Sequence, residues 1–180
     1  MRTFILAFLL LPTLCLADSL KLKSYADEFL SFEYPTSFNL SKEEGEDGFI
    51  FITLVGPSTT SLVVFITPEP YSYDLEEMSN DNHAEMIIAA QEASGNPYIE
   101  DSLKRKVDTI TMSIGGNDHP GIRDHYSGTG LFDKSTFQSS LSIVYSQDHT
   151  YYIQEERRNE FIEKHETTVM DILNSIKFLK

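Results

Sequence analysis

The stretch SSLSIVYSQDHTYYIQEERRNEFIEKHETTVMDILNSIKFLK, residues 139–180, decides the reading of the whole chain. Leu141, Ile143 and Tyr145 alternate with Ser142, Val144 and Ser146. Gln147-Asp148-His149 reverses the direction, and Tyr151 and Ile153 then alternate with polar neighbours as far as Glu155. A period of two on both sides of a short polar turn predicts a half-buried β-hairpin. Beyond the charged run Glu155 to Glu160, the residues Phe161, Ile162, Val169, Ile172, Leu173 and Ile176 recur with the helical period. Glu163, Lys164, Thr167, Asp171 and Asn174 fall mostly on the other side. That spacing predicts an amphipathic helix laid over a sheet.

Upstream, the same signals recur. Leu30, Phe32 and Tyr34 alternate against Ser31 and Glu33, and Pro35 ends the strand. Phe38 and Leu40 suggest a short partner, followed by an exposed turn over Glu43 to Gly48. Phe49–Val55 and Leu62–Thr67 are nearly continuous apolar runs rich in β-branched residues, which reads as central strands covered on both faces. Asp74–Ser94 carries a thin helical stripe of Leu75, Met78, Asn82, Met86, Ile87, Ala90 and Ala93, stopped by Gly95-Asn96-Pro97. Ile110, Met112 and Ile114 alternate with Thr and Ser, a loop over Gly115 to Gly121 follows, and a more polar strand, 122–132, carries Gly128 and Gly130, which suggests a bend or bulge. About eight strands in succession with two or three helices define an α+β class, a mainly antiparallel sheet flanked by helices on its faces.

The N-terminus reads as an address. Arg2 precedes the apolar run Phe4–Leu11, and small residues before Asp18 suit cleavage after Ala17, so residues 1–17 are expected to be a secretory signal peptide. The apolar core is too short to span a bilayer. Bulky Leu14 before Cys15 argues against a lipid anchor there. Residues 18–27 then read as a polar leader and 28–180 as a single domain. Cleavage takes away the one cysteine, so packing and not a disulfide must hold the mature protein together. Cysteine usage of this kind suits a bacterial envelope, giving a secreted or periplasmic protein.

The 14 basic and 28 acidic residues give a net charge of −14, and cleavage removes Arg2 and no acid. Such a field repels nucleic acid and anionic lipid and favours basic partners or cations.

The segments Phe32-Glu33-Tyr34-Pro35 and Ile172-Leu-Asn-Ser-Ile-Lys-Phe178, in this order of elements, resemble the PsbP-like superfamily. That group includes the photosystem extrinsic protein, a Ran-binding nuclear-import factor, mycobacterial lipoproteins and periplasmic DcrB-like proteins. The resemblance, over roughly residues 29–178, implies an antiparallel sheet sandwiched between helices. It implies no catalytic residues, because the scaffold serves unrelated binding tasks.

Catalytic motifs are missing from the sequence. There is no Gly-x-Ser-x-Gly elbow, Gly115-Gly116 lacks the lysine and helix of a phosphate loop, and the carboxylates lie in turns or in a charged run that reads as a solvated face. His165 falls within the stripe of the last helix, where a packed histidine is the plain reading. The expectation is therefore a non-enzymatic binding or assembly module of the envelope, with a protein partner, no nucleic acid, no membrane span and no cofactor. The alternatives are a hydrolase of unrecognised type and a divalent-metal protein. The latter rests on three Asp-His dipeptides that a meander would gather at one end of the sheet: Asp118, His119, His125, Asp148 and His149 would supply the ligands. Asp124 would face away from His125, because neighbours in a strand point to opposite sides. Mass spectrometry of secreted protein is expected to show Asp18 as the first residue; an intact Met1 or a lipid on Cys15 would refute this.

Overall fold

The computed structural model describes residues 21–57, 60–71, 75, 102–129, 134–158 and 166–179. Its strands are β1 (Leu22–Ala26), β2 (Leu30–Pro35), β3 (Asn39–Glu44), β4 (Ile50–Val55), β5 (Ser61–Ile66), β6 (Lys104–Ile114), β7 (Asn117–Thr129), β8 (Lys134–Tyr145), β9 (Thr150–Arg158) and β10 (Lys177–Phe178). One helix, α1 (Glu166–Ser175), precedes β10. Seven strands form one sheet in the order β3-β4-β5-β9-β8-β7-β6, and β1-β2-β10 form a second; every pairing is antiparallel. The α+β class and the sheet-dominated sandwich follow directly.

Alternation along each strand builds the core. Ile50, Ile52 and Leu54 of β4, Leu62, Val64 and Ile66 of β5, and Tyr151 and Ile153 of β9 share one face of the large sheet through their register. They pack with Leu30 and Phe32 of the small sheet and with Val169, Ile172, Leu173 and Ile176 from α1 and the residue after it. The small sheet and α1 thus form one layer over that face. Helical spacing put the stripe on α1, and its four apolar residues are at most 1 % exposed. On the opposite face, Leu141, Ile143 and Tyr152 are buried with Phe65 and Leu75 packed against them. Apart from Leu75, the expected helix over 74–94 lies outside the described residues, as do residues 1–20 and His165.

Two close approaches seat α1. Gly115 sits at φ +60° and Gly116 at +77°, the left-handed pair that a two-residue hairpin turn needs. The Gly115 N–H donates to the Leu173 carbonyl at 2.9 Å. A Cβ on Gly115 would stand 2.6 Å from the Ile176 carbonyl oxygen, so only glycine fits. Ser175 Oγ accepts from the Glu33 N–H at 2.9 Å, tying the end of the helix to β2. Asp27 closes the turn between β1 and β2. Burial opposes its charge, but the Leu30 and Phe29 amides, the Tyr25 hydroxyl and the Lys42 ammonium outweigh that and hold its carboxyl below the ordinary range.

Several expectations are corrected. Residues 22–26 belong to the fold as β1 and not to a polar leader, because they pair along their length with β2. The loop expected over 115–121 is only Gly115-Gly116, since β7 begins at Asn117 and pairs back as far as Ile114. β7 runs without a bulge to Thr129, and Pro120 is tolerated where the β7–β8 pairing stops at Gly121. β4 is not covered on both sides: Phe51 is 39 % and Val55 47 % exposed. Its nearly continuous apolar run combines one core face with a half-open one.

Replacing Ile172 with Ala should lower stability by ~2–5 kcal/mol, the range for emptying a packed aliphatic site. Urea unfolding would show this as a lower midpoint at unchanged slope. A midpoint equal to the parent's would mean that α1 does not pack as described.

Candidate functional site

Register places a polar field on the covered face of the large sheet, beside the apolar core. Reading across β6, β7, β8 and β9, one row is Asp108, Arg123, Ser140 and Glu155; the next is Lys106, His125, Gln138 and Arg157. The inner members are deeply buried: Arg157 and Ser140 are at most 1 % exposed, and Glu155 is 3 % exposed. Ionised side chains persist at such depth only when paired and hydrogen-bonded.

They are paired. Arg157 Nε donates to Glu155 Oε2 at 3.0 Å, and Nη2 donates to Oε1 at 2.8 Å and to Oε2 at 2.6 Å. The Ser140 hydroxyl donates to Glu155 Oε1 at 2.9 Å, and Arg123 Nε donates to Ser140 Oγ at 3.0 Å. Arg123 Nη2 stands 3.9 Å from Glu155, whose charge Arg157 already answers. At the β6 edge, Lys106 holds Asp108 at 2.8 Å, with His125 Nε2 3.5 Å away. On the opposite face, buried Asp124 meets Arg105 at 2.7 Å. Burial, then the Asp124 carboxylate, pushes the neighbouring Tyr126 phenol up to about 12.

The five residues expected to gather at one end are not brought together. Asp118 and His119 lie in β7, beyond the end of its pairing with β8, and on opposite faces. His125 stands six residues further along the same strand, ~20 Å away at the usual rise, beside Asp108. His149 is turned towards the end of β5, its Nδ1 2.8 Å from the Thr67 carbonyl oxygen, and its ring meets Phe29 edge-on at 5.2 Å. Asp148 stays in the exposed turn, its N–H bonded to Ser146. Among the described residues, no three His, Cys, Asp or Glu side chains stand together as a metal ion requires.

Sequence reading missed Glu155 and Arg157. The charged run reads locally as a solvated face, yet the period of two set by Tyr151 and Ile153 continues through both. Serines at 140 and 142 on the facing strand mark the polar part of that face.

No family model and no curated protein matches this sequence. Among solved structures it is similar to cyanobacterial PsbP (CyanoP) from Synechocystis sp. PCC 6803, with 11 % identity and a TM-score of 0.49 over 88 % of this chain and 93 % of that one. A crystal structure from Bacteroides thetaiotaomicron VPI-5482 shows 15 % identity and a TM-score of 0.49 over 88 % of this chain and 48 % of that one, so the match spans about half of that protein. LpqN of Mycobacterium tuberculosis, involved in cell envelope biogenesis, matches at 13 % identity and a TM-score of 0.39 over 93 % and 98 %. Neither activity nor ligand passes to this chain at such identities.

A double-mutant cycle tests the buried pair. Arg157→Met alone should cost ~3–5 kcal/mol by leaving Glu155 charged and buried, whereas Glu155→Leu combined with Arg157→Met should lose much less. Chemical unfolding of the double variant and of each single variant, Glu155→Leu included, measures it; additive losses would mean that the two side chains are not coupled.

Proposed function

We propose that this chain is a secreted, non-enzymatic binding or assembly module of a bacterial cell envelope that acts on a protein partner. The observation that carries this reading is the closure of its charged groups. Each buried ionised side chain among the described residues, Asp124, Glu155 and Arg157, is neutralised by a fixed neighbour. Groups that move protons or attack carbonyls are instead poised, with a pKa tuned to the task and an open side towards substrate. Glu155 has Arg157 along both oxygens and Ser140 against one of them, which suits it to holding strands in register.

The leader-like residues 1–17 support secretion, and the net charge of −14 favours a basic partner. Among the described residues no helix is long and apolar enough to cross a membrane.

The test is made in cells producing the full chain. Fractionation should place it in the envelope or the medium, and in-cell cross-linking should give one discrete protein adduct. Turnover of ester, phosphate or glycoside substrates, with or without added Zn²⁺ or Mg²⁺, that disappears in a Glu155→Gln variant would overturn the reading.

A further inference from the structure

We propose that the free edge of β3, together with the aromatic row beside it, takes up an extended basic segment of the partner by strand addition. This rests on the reading of the chain as a protein-binding module and gives that module its docking surface.

The seven-stranded order leaves β3 at one end. The Gly45 N–H donates to the Phe49 carbonyl at 2.8 Å where β3 turns into β4, and the Gly56 N–H donates to the Thr60 carbonyl at 2.8 Å where β4 turns into β5. Antiparallel alternation from these two bonds directs the backbone of Asn39, Ser41 and Glu43 towards β4, and that of Leu40, Lys42 and Glu44 outward. No described strand pairs with that outer side. All of β3 except Leu40 is exposed, and its register with β4 is unbroken from Asn39 to Glu44. Neither a bulge nor a proline interrupts it, and its one lysine, a usual guard of an edge, is drawn to Asp27.

Side chains give the edge its chemistry. On the face away from α1, Glu43 of β3 lies beside Phe51, which lies beside Phe65 and then Tyr152. The rings form a continuous row, with Phe51 to Phe65 at 4.8 Å and Phe65 to Tyr152 at 5.3 Å. Phe51 is 39 % exposed at the near end of that row. Glu43, Glu44 and Asp47 are exposed around it, and the only cation of β3, Lys42, is spent on Asp27 at 3.0 Å. An added strand alternating apolar and basic residues would turn the first towards the face of Phe51 and bring the second to the opposite face beside Glu44, because neighbours in a strand point to opposite sides, while its backbone completes the outward hydrogen bonds.

One other occupant and one other edge fit less well. A second copy of this chain carries the same net charge of −14 and is repelled. The opposite edge, β6, is basic, but Lys106 is held by Asp108 and Arg105 by Asp124, and lysines on an edge are an ordinary guard against pairing.

The probe is a blocked peptide of alternating Lys and Val, as long as β3, titrated into the isotope-labelled full chain alongside a Glu/Val counterpart. The Lys/Val peptide should shift and protect the amides of residues 40, 42 and 44, and its affinity should fall as salt rises. Glu44→Gln should weaken it about tenfold, some 1.4 kcal/mol. Glu44→Pro, which removes one outward N–H without touching the β4 pairing, should abolish protection while thermal melting is unchanged. Equal binding of the Glu/Val peptide, shifts confined to β6, or indifference to Glu44→Pro would overturn the proposal. So would self-association through β3 in sedimentation. A cellular cross-link to a partner at a site remote from β3 would remove this surface and leave the binding function standing.

Discussion

The layer formed by Val169, Ile172, Leu173 and Ile176 is the contact on which the rest of the molecule depends. It lies beside the small sheet over one face of the large sheet, and all three share a single apolar core. The helix is pinned at its C-terminal end from two directions, by the Gly115 amide and by the backbone of Glu33 at Ser175. The next residues continue as β10, and Phe178 meets the Tyr151 ring at 4.6 Å. With a single cysteine in the sequence no disulfide can form within the chain, and such close-packed contacts supply the cohesion instead.

The face that carries this layer changes character along its strands. Tyr151 and Ile153 belong to the core; Glu155 and Arg157, on the same side of the same strand, belong to a closed ionic network. A slip of one residue between β8 and β9 would send both charges to the opposite face and separate them from Ser140 and Gln138. The network therefore acts with the apolar layer to allow one register only. Its net contribution to stability is small beside the cost of breaking it, as is usual for buried ion pairs.

Much of this was legible in the residues. The period of two in 139–153 and the helical stripe after it predicted the final hairpin, α1 and the sheet beneath them, because apolar spacing reports directly on which side is covered. What escaped depends on partners far along the chain. Residues 22–26 look polar because β1 is an exposed edge strand whose place is set by β2 and not by its own pattern. Glu155 and Arg157 look solvated because nothing local reveals that each neutralises the other. Phe51 and Val55 look buried because an apolar run does not say which of its faces lies open. The proposed metal cluster failed for a similar reason: placing two turns at one end of a sheet does not decide where their side chains turn, and His149 turned to Thr67.

The small sheet draws its strands from opposite ends of the described chain: Leu30 of β2 pairs with Phe178 of β10, and α1 is the stretch that brings them together. Contacts so remote in sequence form late, because the intervening chain must first be organised. A nascent polypeptide of this design stays without its central layer until its final elements are available. Until then its strands can pair only with near neighbours along the chain, so the last residues made are the ones that close the core.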